Sequence, residues 1–401
     1  MRGTWRTRLV AVLVTAIALT GTLPASATMS TLAAQSDATL QTNGRVRAIL
    51  TVGSVTYIGG NFTSVRPAGA AAGTDEVPRG YLAAFNATTG ALLSSWDPGA
   101  SNGVYSLAAS PDGSTIYVGG LFGAVGGQPR KRLAAVSAVS GAVLPFRADA
   151  DNKVFALYAS PTTLYVGGNF TAIGGVARSR TAALDPVTGS VSAAWKPAAD
   201  ATVMNITPTP DGTALYLGGE FSSIDGLTAQ KRLAKVRATT GEVLPFRTHP
   251  GYPIWSIVAT ATHVYVGGDG SGGHAGRYTS AGVREWVTQT DGGVQGIALI
   301  DGVVYIGGHF DNVCIGDTAG ATTGFRCPSA SAVRHKLMAV DAETGATDAW
   351  DPGANSSLGL FSLAGFQGRV QVGGDFTRIG TEPGKTGRPY QQGFAQFSAR
   401  P

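Results

Sequence analysis

Apolar, glycine and aromatic positions follow one another in a short phrase that recurs along the chain. The phrase begins with Tyr and an apolar residue, continues with two glycines and a variable residue, and in most copies ends with Phe. In the seventh copy Gln371 replaces the Tyr, and in the fifth Gly270 replaces the Phe. The second glycines of the seven copies are Gly60, Gly120, Gly168, Gly219, Gly268, Gly308 and Gly374. Self-similarity at a spacing of about 50 residues predicts seven structural repeats.

Each copy lies in the same sequence surroundings. A short apolar segment, such as 104–109, comes before it, and a turn such as 110–113 joins the two. After the copy come a loop, a third apolar segment such as 132–136, a Thr-Gly or Ser-Gly turn, and a fourth segment that ends near Trp or Phe. Four short antiparallel strands per repeat are typical of a propeller blade. We therefore predict an all-β, seven-bladed β-propeller with four-stranded antiparallel blades.

The two ends of the chain predict how the ring closes. The seventh copy is followed by one apolar segment only, 394–397, so its blade lacks a fourth strand. Residues 37–43 resemble the end of a fourth strand, compare 101–104. We expect this N-terminal strand to complete the last blade and so remove an open sheet edge. Residues 37–401 would then form a single domain.

Glycine content agrees with strands and turns rather than helices. The chain has 57 glycines among 401 residues, about twice the usual share. Glycine weakens helices, so this composition disfavours helical bundles and doubly wound α/β folds. Because glycine lacks a Cβ atom, the paired glycines are expected to let neighbouring blades approach and to let a strand bend. The flanking Tyr and Phe are expected to pack between blades.

The first residues predict export. Residues 1–27 combine three arginines, no acid, an apolar run and a small-residue end, which is the pattern of a secretory signal peptide. Residues 28–36 are expected to be a linker. Without those arginines the formal charge of +5 becomes nearly neutral, so nucleic acid is not a predicted partner. The apolar run is too short for comfortable membrane insertion. We predict a secreted, extracellular, monomeric bacterial protein.

The chain has two cysteines, Cys314 and Cys327. In an exported protein they are expected to form a disulfide that closes the loop between them. Two thiols alone make a poor zinc site, because zinc takes four protein ligands or three and a water. No metal site is predicted.

The phrase Tyr-Val-Gly-Gly-x-Phe, with its downstream Leu-Ala-Ala and Thr-Gly turn, resembles the delta-sixty-type β-propeller repeats of secreted bacterial proteins. It is also similar to repeats in ectodomains of fungal cortical marker proteins. The resemblance covers roughly residues 37–401 and implies the propeller fold, but no activity. A weaker likeness to quinoprotein repeats fails because Trp195 follows Gly189 by six positions rather than four. The glycines of 268–273 have no helix after them, so no dinucleotide and no other cofactor is predicted.

Catalytic motifs are absent from the sequence, and one polar ring is a candidate ligand site. Of five histidines, His309 alone occupies the variable position after a glycine pair. The equivalent residues are Asn61, Leu121, Asn169, Glu220, Asp269 and Asp375. This ring could bind a cation or a sugar. The alternative is structural pairing with the basic residues that open the third strands, namely Arg132, Arg180, Arg232 and Lys336.

A second candidate ring lies near the start of the first strands. Its members are Arg47, Tyr105, Phe155, Met204, Trp255, Gln295 and Phe361. They are mixed and rich in aromatic residues, so they could form a platform for a carbohydrate or aromatic ligand, or pack between blades. Two positions further on stands a uniform aliphatic set, which is expected to be core: Ile49, Leu107, Leu157, Ile206, Ile257, Ile297 and Leu363.

The longest loops follow the first, sixth and seventh copies, which are neighbours in a closed ring. Residues 66–79, 311–334 and 378–391 are therefore expected to form one wall on one face, with Arg378 and Arg388 among its cations. We predict a non-catalytic propeller that binds a carbohydrate, cell-wall polymer or protein at this face. The alternatives are a glycan-acting hydrolase or lyase, which needs carboxylates there, and loop growth without function.

Overall fold

The computed structural model describes residues 29–246, 248, 250–270, 272–315, 327, 330–381 and 387–399. The predicted signal peptide, 1–27, lies outside these ranges. The described chain is built of short strands and turns, as predicted, with a single 3-10 turn at Thr228–Gln230 among the described residues.

Seven antiparallel sheets follow one another along the chain, and we number them 1 to 7. Their first strands are Arg45–Val52, Val104–Ala109, Val154–Ala159, Val203–Pro208, Ile254–Ala259, Val294–Ile300 and Leu360–Phe366. Their second strands, which end at or next to the glycine pair, are Val55–Asn61, Thr115–Gly120, Leu164–Gly168, Ala214–Gly219, His263–Gly268, Val303–Gly308 and Arg369–Gly374. Their third strands are Leu82–Asn86, Leu133–Ser137, Thr181–Leu184, Leu233–Arg237, Gly273–Thr279, Leu337–Asp341 and Phe394–Phe397. The second strand is the middle one in each of these triplets.

A regular fourth strand forms only in sheet 5, at Arg284–Thr290, among the residues described. In five other sheets the fourth segment is held by one bridge to the third strand: Phe85 with Leu92, Val136 with Val143, Leu184 with Val191, Val236 with Val243, and Val340 with Thr347. The prediction of four-stranded blades therefore holds for sheet 5 alone as a hydrogen-bonded ladder. The physical reason is proline, which cannot donate to a ladder. It follows the bridge in each of these five sheets, as Pro98, Pro145, Pro197, Pro245 and Pro352, whereas 284–290 contains none.

The remaining strands are short and belong to loops. Gln41–Thr42, Ser64–Arg66 and Val77–Pro78 form one small sheet, and two hairpins lie at Ala124–Val125 with Gln128–Pro129 and at Ala172–Ile173 with Val176–Ala177. Asn312–Ile315 and Ala330–Val333 extend sheet 5. The predicted disulfide between Cys314 and Cys327 is present and joins residues whose Cα atoms are 4.9 Å apart.

The first glycine of each pair makes room for the next sheet, as predicted. A Cβ atom on Gly119 of sheet 2 would lie 2.7 Å from Val154 of sheet 3, and one on Gly167 of sheet 3 would lie 2.9 Å from Val203 of sheet 4. The same relation links sheet 7 to sheet 1, because a Cβ atom on Gly373 would lie 2.8 Å from Val46. Real Cβ atoms do not pack this closely, so each site needs glycine.

Tyr and Trp side chains of several repeats donate hydrogen bonds to the sheet that follows. Tyr57 of sheet 1 donates its hydroxyl to the carbonyl of Ala138, and Trp96 donates its indole N–H to Ser137, both at the end of the third strand of sheet 2. The two rings meet edge to face, with centroids 5.0 Å apart. Buried hydroxyl and indole N–H groups need hydrogen-bond partners. Here the partners are carbonyl groups of the neighbouring sheet, so these bonds hold the two sheets together.

The N-terminal segment lies along sheet 7, with boundaries that differ from the prediction. Leu32 is buried and pairs with Ala399, and the Asp37 amide donates to the Gln396 carbonyl at 2.7 Å. Residues 41–42 pair instead with Ser64–Arg66 in a loop of sheet 1. The expected outer strand over 37–43 therefore does not form as a continuous ladder on sheet 7, although Asp37 and Thr42 each donate a backbone hydrogen bond to the segment that contains its third strand. Within the expected linker over 28–36, the described chain packs on the sheet from Leu32 onward.

Candidate functional site

Every first strand carries a β-bulge opposite the glycine pair. In sheet 1, Val46 faces Gly60 and Ala48 faces Gly59, so Arg47 has no partner in the ladder. The second glycine is required here too, because a Cβ atom on Gly60 would overlap the carbonyl oxygen of Arg45. A bulge redirects the side chain of its extra residue. The seven bulge residues are Arg47, Tyr105, Phe155, Met204, Trp255, Gln295 and Phe361.

These seven side chains line one cavity of about 750 Å³ at the centre of the sheets. The candidate ring predicted at the start of the first strands is thus brought together. Its volume falls in the range of small-molecule sites. The repeated bulge is a feature that the sequence reasoning missed, although its signal, a glycine pair opposite each strand start, was visible.

One side of the cavity mouth is a continuous stack of side chains. The Arg47 guanidinium lies 4.3 Å from the ring centroid of Phe361 and 5.4 Å from that of Tyr105. Tyr105 in turn stacks on Phe155, with centroids 5.4 Å apart and planes inclined by 15°. The contacts of the guanidinium with the Phe361 and Tyr105 rings are cation–π interactions, which stabilise its positive charge. Asn61 holds the guanidinium in place by accepting a hydrogen bond from Nε at 2.8 Å.

The other side of the cavity is more polar. Trp255 and Glu220 line it, together with Asn169 and Gln295. Gln295 is buried, and its Oε1 atom has no hydrogen-bond partner among the described residues; the same holds for the buried Oδ1 atom of Asn169. Both oxygen atoms are shielded from the cavity by neighbouring groups, so the acceptor that faces a ligand on this side is the exposed carboxylate of Glu220.

The aliphatic set that was expected to be core has a second role. Ile206, Ile257 and Ile297 are buried, but they and the rest of the set also line the cavity below the bulge residues. Leu107 and Leu157 are partly exposed there. The cavity therefore has a mixed polar and aromatic mouth above an aliphatic wall, an arrangement common in small-molecule sites.

His309 and Asp375, two predicted site residues, do not line the cavity. His309 accepts a hydrogen bond from the Gly293 amide at its Nε2 atom, at 3.2 Å. Asp375 accepts hydrogen bonds from Ser357 Oγ and the Leu358 amide, each at 3.0 Å. Each side chain stabilises, through these hydrogen bonds, the turn that precedes a first strand, His309 in sheet 6 and Asp375 in sheet 7. Asn169 and Glu220, at the same repeat position, do reach the cavity.

The predicted pairing of the variable ring with basic residues is wrong. The basic residues that open the third strands have left-handed backbone conformations, with φ of 67° at Arg132 and 69° at Arg180. Arg132 donates to the Ala150 carbonyl and Arg232 to the carbonyl of Glu220, not to its carboxylate. Lys336 pairs with Asp311 at 2.8 Å. These side chains tie loops to strands.

The predicted wall is less cationic than its composition indicates. Arg66 is buried and donates to Gln41, Tyr390 and Gln392, and Arg79 donates to the Ser94 carbonyl. Arg378 donates to the Arg388 carbonyl at 2.8 Å, and Arg388 packs against Gly353. Arg378 and Arg388 do not line the central cavity. Residues 316–326, 328–329 and 382–386 of the wall lie outside the described residues.

Two further properties concern metals and membranes. Within the described ranges, no three His, Cys, Asp or Glu side chains converge in a way that could hold a metal ion. None of the described helical residues forms a helix long and apolar enough to cross a bilayer.

The sheets around one central cavity define a β-propeller, and solved structures of this class are similar to the chain. The RRP9 WD40 repeats match 92% of this chain and 100% of that one, with 14% identity and a TM-score of 0.56. The WD40 β-propeller domain of Doa1 matches 91% and 97%, with 11% identity and a TM-score of 0.54. The computationally designed Ika8 protein matches 91% and 99%, with 12% identity and a TM-score of 0.52. No protein-family model and no curated protein sequence matches the chain.

Proposed function

We propose that this protein is an exported, closed seven-bladed propeller that binds a carbohydrate in its central cavity and does not transform it. The single observation that carries the proposal is the ring of seven bulges, which directs one cationic, one amide and four aromatic side chains into the same cavity. Each of the seven sheets has the same bulge, and every bulge directs a side chain into the cavity. This repetition supports the proposal that those side chains form the binding site.

Ring closure is supported by contacts of the N-terminal segment. Its Ala33 carbonyl accepts the indole N–H of Trp350, as the Ser137 carbonyl does for Trp96. Gln391 reaches the Leu40 carbonyl, as Arg130 reaches that of Leu144 in the fourth segment of sheet 2. The segment thus occupies the place of a fourth segment of sheet 7. Export is supported by the disulfide, which is typical of oxidising compartments.

The hydrolase alternative has less support. Glycoside hydrolysis commonly uses two carboxyl groups that flank the scissile bond. Among the described residues that line the cavity, Glu220 is the one carboxylate. Carbohydrate binding instead uses aromatic surfaces and a few directed polar groups, which the cavity has.

A glycan screen that scores both retention and cleavage tests the proposal. Plant and cell-wall oligosaccharides are presented to the wild type and to Trp255→Ala, Phe155→Ala and Tyr390→Ala variants. Tyr390 is a wall aromatic outside the cavity and serves as the matched control. We expect retention without cleavage, lost in the first two variants and kept in the third. Cleavage, or loss of retention in Tyr390→Ala alone, would overturn the proposal.

A further inference from the structure

The guanidinium of Arg47 forms no ion pair with the described residues of the protein, although, against the effect of burial, the Asp375 carboxylate lies near enough to raise its pKa slightly. No carboxylate of the described residues lies within ion-pair distance of its guanidinium, and its one hydrogen-bond partner is the neutral amide of Asn61. Burial lowers the pKa of Arg47 below its usual value, although a guanidinium stays protonated at neutral pH. A partly buried cation without a direct ion-pair partner is costly, and an anion bound against its free N–H groups would offset that cost.

The surroundings of Arg47 leave one direction for such an anion. Phe361 and Tyr105, from the sheets on either side, cover the guanidinium, and Asn61 occupies Nε. Both Nη groups lack partners among the described residues, in a side chain that lines the cavity. Two parallel N–H donors match the two oxygens of a carboxylate, and the fixed Nε reduces the entropy lost on binding.

The residues on the far side of the cavity determine which chemical groups the ligand can carry opposite Arg47. Glu220, on sheet 4, lines the cavity with an exposed carboxylate, which would repel a second anion and can accept hydrogen bonds. Ligand hydroxyl groups can donate to this carboxylate, and the apolar face of a sugar ring can lie on Trp255 or on the stacked Tyr105 and Phe155. The ligand thus has one carboxylate at one end and hydroxyls at the other.

We propose that the cavity binds a hexuronic acid unit, with its carboxylate on the Nη groups of Arg47; this inference rests on the proposed carbohydrate function. A single uronic acid unit supplies one carboxylate, several hydroxyls and an apolar ring face. A free amino acid would supply the carboxylate too, with an ammonium group for Glu220, and is kept as an outcome of the test.

Calorimetric titration with a galacturonic acid trisaccharide, its methyl ester and free amino acids tests this inference. The proteins are the wild type, Arg47→Gln, Arg47→Lys and Arg45→Gln. Arg45 is exposed, two residues away and outside the cavity lining, so it controls for net charge. We expect the wild type to bind the acid at least about tenfold more tightly than the ester. Arg47→Gln should abolish that difference, Arg47→Lys should keep part of it, and Arg45→Gln should keep all of it.

Three results would overturn the inference. They are equal binding of acid and ester, equal effects of Arg47→Gln and Arg45→Gln, and tighter binding of an amino acid than of the uronide. Arg47 packs on two rings, so unchanged melting temperatures are required before the variants are compared. If one of these three results is obtained but a neutral glycan binds and Trp255→Ala abolishes that binding, the inference fails while the proposed function stands. If no glycan binding responds to Trp255→Ala, both fail.

Discussion

At the scale of single residues, the glycine pair explains both the packing between successive sheets and the shape of the cavity. The first glycine of sheet 2, Gly119, admits Val154 of the next sheet, and the second, Gly120, admits the carbonyl of Gly103 beside the bulge at Tyr105. Packing between sheets and the direction of the cavity side chains therefore depend on the same two positions.

The second glycine gives the sharper prediction. In Gly120→Ala the new Cβ atom overlaps the Gly103 carbonyl oxygen, so the backbone at the bulge has to move. We expect a loss of about 1–3 kcal/mol in the free energy of unfolding, measured by urea denaturation. Gly251→Ala is the control, because the described surroundings leave open space at its Cβ position. Equal stability of the two variants would contradict the packing role.

A partly buried histidine predicts how stability depends on pH. His274 stacks on Tyr252 at 4.0 Å, and burial lowers its pKa to about 4, with Asp269 opposing the shift. An unfolded chain binds the proton near pH 6.5, so stability rises with pH between about 4 and 6.5. We expect a loss of about 2 kcal/mol between pH 7 and pH 5 that His274→Gln reduces. Urea midpoints at both pH values measure it; an unchanged pH dependence in the variant would refute this assignment.

At the scale of elements, the N-terminal segment replaces a strand without forming one. Its contacts run from Leu32, beside Ala399, to Thr42, beside Val65. Gln391 fixes the middle of the segment with hydrogen bonds to Thr39 and Leu40. The segment therefore links sheet 7 to a loop of sheet 1.

Removing this segment tests its role. A chain that begins at residue 43 loses the buried side chains of Leu32 and Leu40 as well as these hydrogen bonds. Compared with a chain that begins at residue 29, we expect the melting temperature to fall by on the order of 10 °C or soluble protein to be lost. Scanning calorimetry measures the two melting temperatures. Equal values for the two chains would show that the segment does not stabilise the contact between sheet 7 and sheet 1.

At the scale of the whole molecule, seven sheets surround one cavity whose mouth and wall differ in chemistry. The mouth is formed by bulge residues such as Arg47 and Trp255, and the wall by aliphatic residues such as Leu157. The sheets hold the mouth residues through backbone ladders on both sides of each bulge. A site built in this way is pre-organised, which limits the entropy lost on binding.

Much of this organisation is readable from the sequence, because local patterns determine it. The spacing of the glycine pairs predicted the sheets, and counting from the strand starts predicted Arg47, Trp255 and their equivalents. The pattern could not separate Glu220, which reaches the cavity, from Asp375, which caps a turn, since both occupy one repeat position. Nor could composition reveal that Arg66 is a buried hydrogen-bond centre rather than a free cation, because burial depends on loops distant in sequence.

The central claim is that the cavity mouth is the ligand site. A crystal structure of the protein in complex with the glycan that the screen retains best tests it most directly. The account predicts sugar density inside the cavity, against Trp255 or the Tyr105 and Phe155 stack. Density on the outer loops around 378–391, with none in the cavity, would contradict it.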